Sequence, residues 1–216
     1  RVKSLHPAIH GPLLCRLENE SDAKGLAELG YPMIEVVACN LYPFSDAAAI
    51  DPPLPDLDLL EMVDIGGPTM VRASAKNHVN VVIACNPGDY SSIIDDLKSG
   101  GVSVDRRREL ALKAYEHTAS YDSAISNELG KRWVGLPEDS SDVEEQSKRL
   151  PSTISVAAHK MQTLRYGENS HQAAALYVNP DSQEGETLVT AKVEGGKAMS
   201  YNCLLYTSPS PRDSAS

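Results

Sequence analysis

Two patterns of apolar positions alternate along the chain. Ile34-Glu35-Val36-Val37-Ala38-Cys39 and Val81-Val82-Ile83-Ala84-Cys85 are short, β-branched and nearly continuous, the pattern of strands covered on both faces of a parallel sheet. Each is followed by an asparagine and a proline-bearing turn, Asn40-Leu41-Tyr42-Pro43 and Asn86-Pro87-Gly88. Helical spacing fills the gaps. Ser21 to Leu29 predicts a helix capped by Ser21 and ended by Gly30. Tyr90, Ile93, Ile94 and Leu97 share a helix face that stops at Gly100-Gly101. Leu110, Ala114, His117, Thr118, Tyr121 and Ile125 line a long helix from about Asp105 to Leu129, ended by Gly130. Such alternation predicts an α/β layer structure. Ligands of these sheets collect at the carboxyl ends of the strands, where Cys39-Asn40-Leu41-Tyr42 falls.

The character changes from Val134. An acidic, serine-bearing stretch with Pro137, Glu138, Asp139, Asp142, Glu144 and Glu145 predicts an exposed linker or insertion over 134–157. Order is expected to resume near Ala157, with short apolar elements at Ala173 to Tyr177 and Leu188 to Val193. The end, from about residue 203 to Ser216, is rich in serine and proline and has a disordered, low-complexity composition.

With 216 residues, 41% hydrophobic and 23% charged, the chain can bury a core and is not wholly disordered. Its net charge of −10 excludes a nucleic-acid polymer as the expected partner, though not a mononucleotide, which needs only a few local cations. The apolar runs are too short to span a bilayer, and no secretory segment is visible. The four cysteines, Cys15, Cys39, Cys85 and Cys203, are scattered without a C-x-x-C pair, so free thiols in a reducing compartment are expected. Cys39 and Cys85 end apolar runs and read as small core residues. No metal cluster is expected: His6 and His10 lack the intervening acid of a zinc helix.

The densest chemistry lies in Asp64-Ile65-Gly66-Gly67, followed by Pro68, Thr69 and Ala75-Lys76-Asn77-His78. Glycines let the backbone approach a ligand closely, or take φ > 0. Pro68 suits the first turn of a helix, whose free N–H groups would face a polarised oxygen beside Asp64. Arg106-Arg107-Arg108 sits where a helix dipole disfavours cations, and reads as solvated.

These motifs, together with Arg1-Val2-Lys3-Ser4-Leu5-His6-Pro7 and Asn40-Leu41-Tyr42-Pro43-Phe44, resemble the bifunctional purine-biosynthesis enzymes that join IMP cyclohydrolase to AICAR formyltransferase. Leu164 to Gln172 and Gly196-Lys197-Ala198-Met199-Ser200-Tyr201-Asn202 resemble the opening of the transferase half. The similarity runs from Arg1 to about Asn202 apart from the acidic stretch. It implies a methylglyoxal-synthase-like parallel sheet with flanking helices over 1–133. The start of a cytidine-deaminase-like α/β transferase domain would follow over 158–202, with a divergent, low-complexity tail over 203–216. The family's first strands and phosphate-gripping loops would precede Arg1, so the chain is expected to be a fragment that folds poorly alone.

The implied reaction closes the ring of formyl-AICAR ribotide to IMP without metal or organic cofactor. The parent would also transfer a formyl group from 10-formyltetrahydrofolate to AICAR ribotide, and would be a cytosolic homodimer. Ring closure needs held reactants, a stabilised oxyanion and moved protons. The resemblance assigns Lys3 to the positive charge near the oxyanion or phosphate, and Tyr42 to the formyl group. Asp64 and Lys76 become a proton-relay pair. Arg1, Ser4, Asn40, Gly66 and Gly67 are implied binders. In the second unit Arg165, Tyr166 and Asn169 are implied nucleotide binders, and His171 supports formyl transfer. Ser170 stands where the family's motif has proline, which puts that turn in question. Taken singly, Arg1, Lys3 and Lys76 read as solvated charges and Tyr42 as a turn aromatic. A non-catalytic small-molecule sensor of the same fold is the rival reading.

Overall fold

The structure, a computed structural model, describes residues 4–134, 152–179 and 200. The chain divides into two units, Arg1–Ser155 and Val156–Ser216. The first unit runs α1 (Pro7–Leu14), α2 (Glu20–Glu28), β1 (Val36–Ala38), α3 (Phe44–Ala48), α4 (Asp56–Leu60), α5 (Gly66–Lys76), β2 (Val82–Ala84), α6 (Tyr90–Lys98) and α7 (Val104–Val134). It is an α/β unit built on a parallel strand pair.

Both apolar runs contain strands. β1 and β2 pair in parallel with Val36 opposite Val82, Val37 opposite Ile83 and Ala38 opposite Ala84. The Cys39 N–H carries the ladder on to the Ala84 carbonyl at 3.1 Å. Only β2 is covered on both faces. Val36 is 42% exposed, so the expectation of two-sided cover fails for β1. The core explains the difference: Val71 and Ala75 of α5, Ile93 of α6, and Leu110, Ala111 and Ala114 of α7 enclose the β2 side chains. Full burial of each such aliphatic side chain contributes about 1.5–3 kcal/mol.

Helix ends depart from expectation in several places. The α2 cap lies two residues early, because Asn19, not Ser21, holds it: its Oδ1 accepts from the N–H groups of Ser21 and Asp22. Gly30 does end that helix, at φ 67°. Gly130 does not end α7. A glycine inside a helix costs about 1 kcal/mol, and here the last turn is tied down by Arg132. That residue donates to the Leu54 carbonyl (2.7 Å), Asp56 and Glu128. α1 has no counterpart in the expected helices, since Pro12 lies inside it. His6 caps it, its Nδ1 accepting from the Ala8 N–H at 3.1 Å, with Pro7 at the first helical position.

In the second unit β3 (His159–Thr163) and β4 (Ala175–Val178) form an antiparallel hairpin with an irregularity between Lys160 and Gln162. Leu164, 6% exposed, extends it by donating to the Ala174 carbonyl. The expected element at 188–193, the Gly196–Asn202 motif apart from Ser200, most of the acidic stretch and the tail lie outside the described residues. No helix among the described residues is long and apolar enough to cross a membrane.

Candidate functional site

The carboxyl end of β1 meets the first turn of α5. Asp64 stands just before that turn, and its Oδ1 accepts from the Gly67 N–H at 2.8 Å. It thereby satisfies a donor that the helix itself cannot. The Asp64 N–H in turn donates to the Tyr121 hydroxyl of α7 at 2.9 Å. Gly66 and Gly67 serve by the space they leave, since neither is among the positive-φ glycines. A Cβ on Gly66 would collide with Ser4 Oγ, and one on Gly67 with Asp64 Oδ2 and, at 2.9 Å, with Leu41 Cδ2. The glycines are therefore where three segments, Ser4, Leu41 and Asp64, crowd one helix start. Positive φ, one of the two explanations available from sequence, does not hold; what approaches these glycines here is the chain's own side chains.

The two strand-end loops are bonded to each other. Tyr90, at the start of α6, donates its hydroxyl to Asn40 Oδ1 at 3.1 Å, a bond that uses the amide's acceptor and not its N–H₂ donors. Burial pushes the Cys39 and Cys85 thiols up from their ordinary values. That suits small core residues and not nucleophiles.

Beneath the β2 loop, Asp89 is 8% exposed. It accepts from Lys113 Nζ at 2.7 and 2.9 Å and from Arg106 at 3.0 Å. Lys113 first, and Arg106 after it, hold the Asp89 carboxyl below the usual carboxylate range. Arg107 donates to the Val102 carbonyl at 2.9 Å and also to that of Val79. The arginine triplet, expected to be solvated, is thus mostly structural: only Arg108, paired with Asp105, stays near the surface. A buried carboxylate and two backbone carbonyls recruit the cations despite the helix dipole.

The predicted residues fall into groups. Ser4, Asn40, Asp64, Gly66 and Gly67 gather at this pole, and Tyr42, 43% exposed, directly follows Leu41. Arg1 and Lys3 lie outside the described residues. Lys76 is not brought here. It is exposed in the last turn of α5, while Asp64 precedes the first. The eleven residues of α5, at about 1.5 Å per residue, separate the two by roughly 16 Å along the helix, so the direct Asp64–Lys76 relay is not what this fold builds. Its neighbour in the motif has a structural task instead. Asn77, buried, donates to the Leu13 and Cys15 carbonyls at 3.0 and 2.8 Å, locking α5 to the end of α1.

In the second unit Arg165, Asn169 and His171 are exposed, and Tyr166 is half-buried. The Arg165 guanidinium lies 4.8 Å from the Tyr166 ring centroid and donates to its hydroxyl at 3.1 Å. Gln172 closes the turn around Ser170, accepting from Asn169 N–H at 2.9 Å and Gly167 N–H at 2.8 Å. Sequence reasoning missed Tyr121, Tyr90 and Asn77. The first two were legible only as parts of helix faces, and the third only as a letter in a motif.

The fold and this pole define a class: an α/β protein with a crowded, glycine-fronted helix at the carboxyl end of a parallel strand pair. A family model described as AICARFT/IMPCHase bienzyme matches residues 74–209, and the chain belongs to that family. It is 47% identical over 207 residues to the bifunctional purine biosynthesis protein PurH of Persephonella marina (strain DSM 14350 / EX-H1). The match covers 95% of this chain, which spans 38% of that protein's length. Among solved structures it is similar to the crystal structure of ForH, at 37% identity and a TM-score of 0.51, covering 60% of this chain and 67% of that one. These matches do not favour the sensor reading.

Proposed function

We propose that the first unit is the cyclohydrolase part of a bifunctional purine-biosynthesis enzyme, with a methylglyoxal-synthase-like fold over 1–133 and a linker over 134–157. Residues 158–202 open a cytidine-deaminase-like formyltransferase domain, and 203–216 form a divergent tail. The first unit closes formyl-AICAR ribotide to IMP. The carboxamide nitrogen attacks the formyl carbon, forming the ring C–N bond, and the resulting carbinolamine loses its hydroxyl and a nitrogen proton as one water. The observation that carries this reading is the convergence of the Asp64 carboxylate, the start of α5 and the Asn40 amide at one strand end.

Each group has a chemical task there. Asp64 takes the proton from the attacking nitrogen and returns it to the departing hydroxyl. The Gly66 N–H at the start of α5, aided by the positive end of the helix, polarises the formyl oxygen. Tyr42 hydrogen-bonds the same oxygen, and Asn40 donates to an acceptor of the substrate. Ser4, Arg1 and Lys3 hold the phosphate side, with Lys3 reaching the oxyanion. Lys76 takes no part in a direct exchange with Asp64. In the second unit Arg165, Tyr166 and Asn169 bind AICAR ribotide, and His171 assists transfer from 10-formyltetrahydrofolate. The parent acts as a homodimer in the cytosol.

The test is a cyclisation assay with formyl-AICAR ribotide on the complete protein that carries this segment. IMP formation that falls about a hundredfold or more on Asp64→Asn supports the reading. Undiminished IMP formation in that variant, or none in the unsubstituted protein, refutes it.

A further inference from the structure

We infer that Tyr121, on α7, is a positioning residue that fixes the Asp64 loop and the Tyr42-Pro43-Phe44 loop against each other. The inference rests on the cyclohydrolase reading for its kinetic consequence, but its geometry stands by itself. Three contacts carry it. The Tyr121 hydroxyl accepts from the Asp64 N–H at 2.9 Å. It donates to the Met62 carbonyl at 3.2 Å. Its ring stands edge-on to Phe44, with centroids 6.4 Å apart and planes at 73°.

The segment Met62–Asp64 joins α4 to α5 without regular structure of its own, so its backbone groups need partners from elsewhere. One hydroxyl supplies both, an acceptor for the donor and a donor for the acceptor. Asp64 then passes the constraint onward, because its carboxylate holds the Gly67 N–H. On the other side, Phe44 is 1% exposed, and its N–H bonds the Tyr42 carbonyl at 2.8 Å. The Phe44 ring cannot shift without moving the turn that carries Tyr42. A single side chain therefore grips both loops from behind while touching neither the substrate side of Asp64 nor Tyr42 itself. Burial holds the Tyr121 phenol above its ordinary value, against the hydrogen bond from the Asp64 N–H, which favours the charged form. It stays protonated, and so able to donate, throughout the neutral range.

A purely structural tyrosine would lose stability on truncation and leave turnover alone. A positioning tyrosine changes turnover through Asp64. In the complete protein, Tyr121→Phe keeps the ring against Phe44 and removes only the hydroxyl. Cyclisation kcat is expected to fall about tenfold or more with KM within about twofold, since a small misplacement at a reacting centre lowers rate more than binding. The double variant with Asp64→Asn is expected to be no slower than Asp64→Asn alone, as two residues acting through one group are not additive. Wild-type kcat in Tyr121→Phe, or full additivity in the double variant, overturns the inference.

Phe44→Leu keeps the hydroxyl and serves if Tyr121→Phe does not fold. About a threefold lower kcat is expected there, and an unchanged kcat overturns the coupling of the two loops. Should the unsubstituted protein form no IMP, the functional reading fails while the inference is still decided by amide hydrogen exchange. Faster exchange at Asp64 and Gly67 in Tyr121→Phe supports it, and unchanged exchange overturns it.

Discussion

At its first turn α5 is crowded by Ser4 and Leu41, distant in sequence, and by Asp64, which brings Tyr121 of α7 with it. At its last turn Ala73 and Ala75 pack into the core, Asn77 ties the helix to α1 by two hydrogen bonds, and Lys76 is left in solvent. Both ends carry residues that a motif reading marks as chemical. The difference teaches that a helix is a ruler: residues twelve positions apart across it lie at opposite poles, whatever chemistry their types suggest. The crowded end has what a site requires, a carboxylate with a fixed orientation at a helix start. The tied end has what an anchor requires, a buried amide whose two donors are both used.

Four measurements sharpen or break this contrast. The largest effect belongs to the crowded end. Asp64→Asn removes the proton acceptor while nearly keeping the cap, and is expected to lower cyclisation kcat by about 10²–10³, or about 3–4 kcal/mol of barrier, with little change in denaturation midpoint. Steady-state kinetics beside denaturant titration separate the two quantities.

Next comes the anchor. Asn77→Ala orphans the Leu13 and Cys15 carbonyls and is expected to destabilise by about 2–3 kcal/mol in denaturant, while kcat per folded molecule stays within about twofold. A large loss of kcat there would mean that the two poles are not separate.

A third prediction concerns the ion cluster that supports the β2 loop. Asp89→Asn is expected to cost about 2 kcal/mol at neutral pH, toward the lower end for a buried pair because Lys113 is 44% exposed. The folded carboxyl is held low, by Lys113 foremost. Its contribution is therefore present above the ordinary carboxylate value of about 3.9 and fades as pH falls through the lower folded value. Denaturation midpoints of the two proteins should converge on acidification.

The smallest effect is a coupling. Lys76→Ala combined with Asp64→Asn should be additive within about 0.5 kcal/mol, since residues more than about 10 Å apart with no shared partner act independently. Coupling well above that would restore the relay that the helix geometry removes.

By itself the sequence determined what short-range physics controls. The two β-branched runs became β1 and β2 in the expected parallel layer. Gly30 and Gly100-Gly101 ended their helices because φ of 67°, 114° and 120° is cheap only for glycine. The ordered motifs were sufficient to point to the family. Tertiary structure alone decided the rest. It set β1 half open and carried α7 through Gly130 on the bonds of Arg132. It turned Arg106 inward to Asp89 and Arg107 to the nearby carbonyls, and moved Lys76 away from Asp64. It also gave the Tyr121 hydroxyl its two backbone partners, though periodicity had marked that residue only as part of an apolar face. Periodicity and caps are read within one or two turns of chain, whereas burial and hydrogen-bond partners depend on which distant segments arrive beside them.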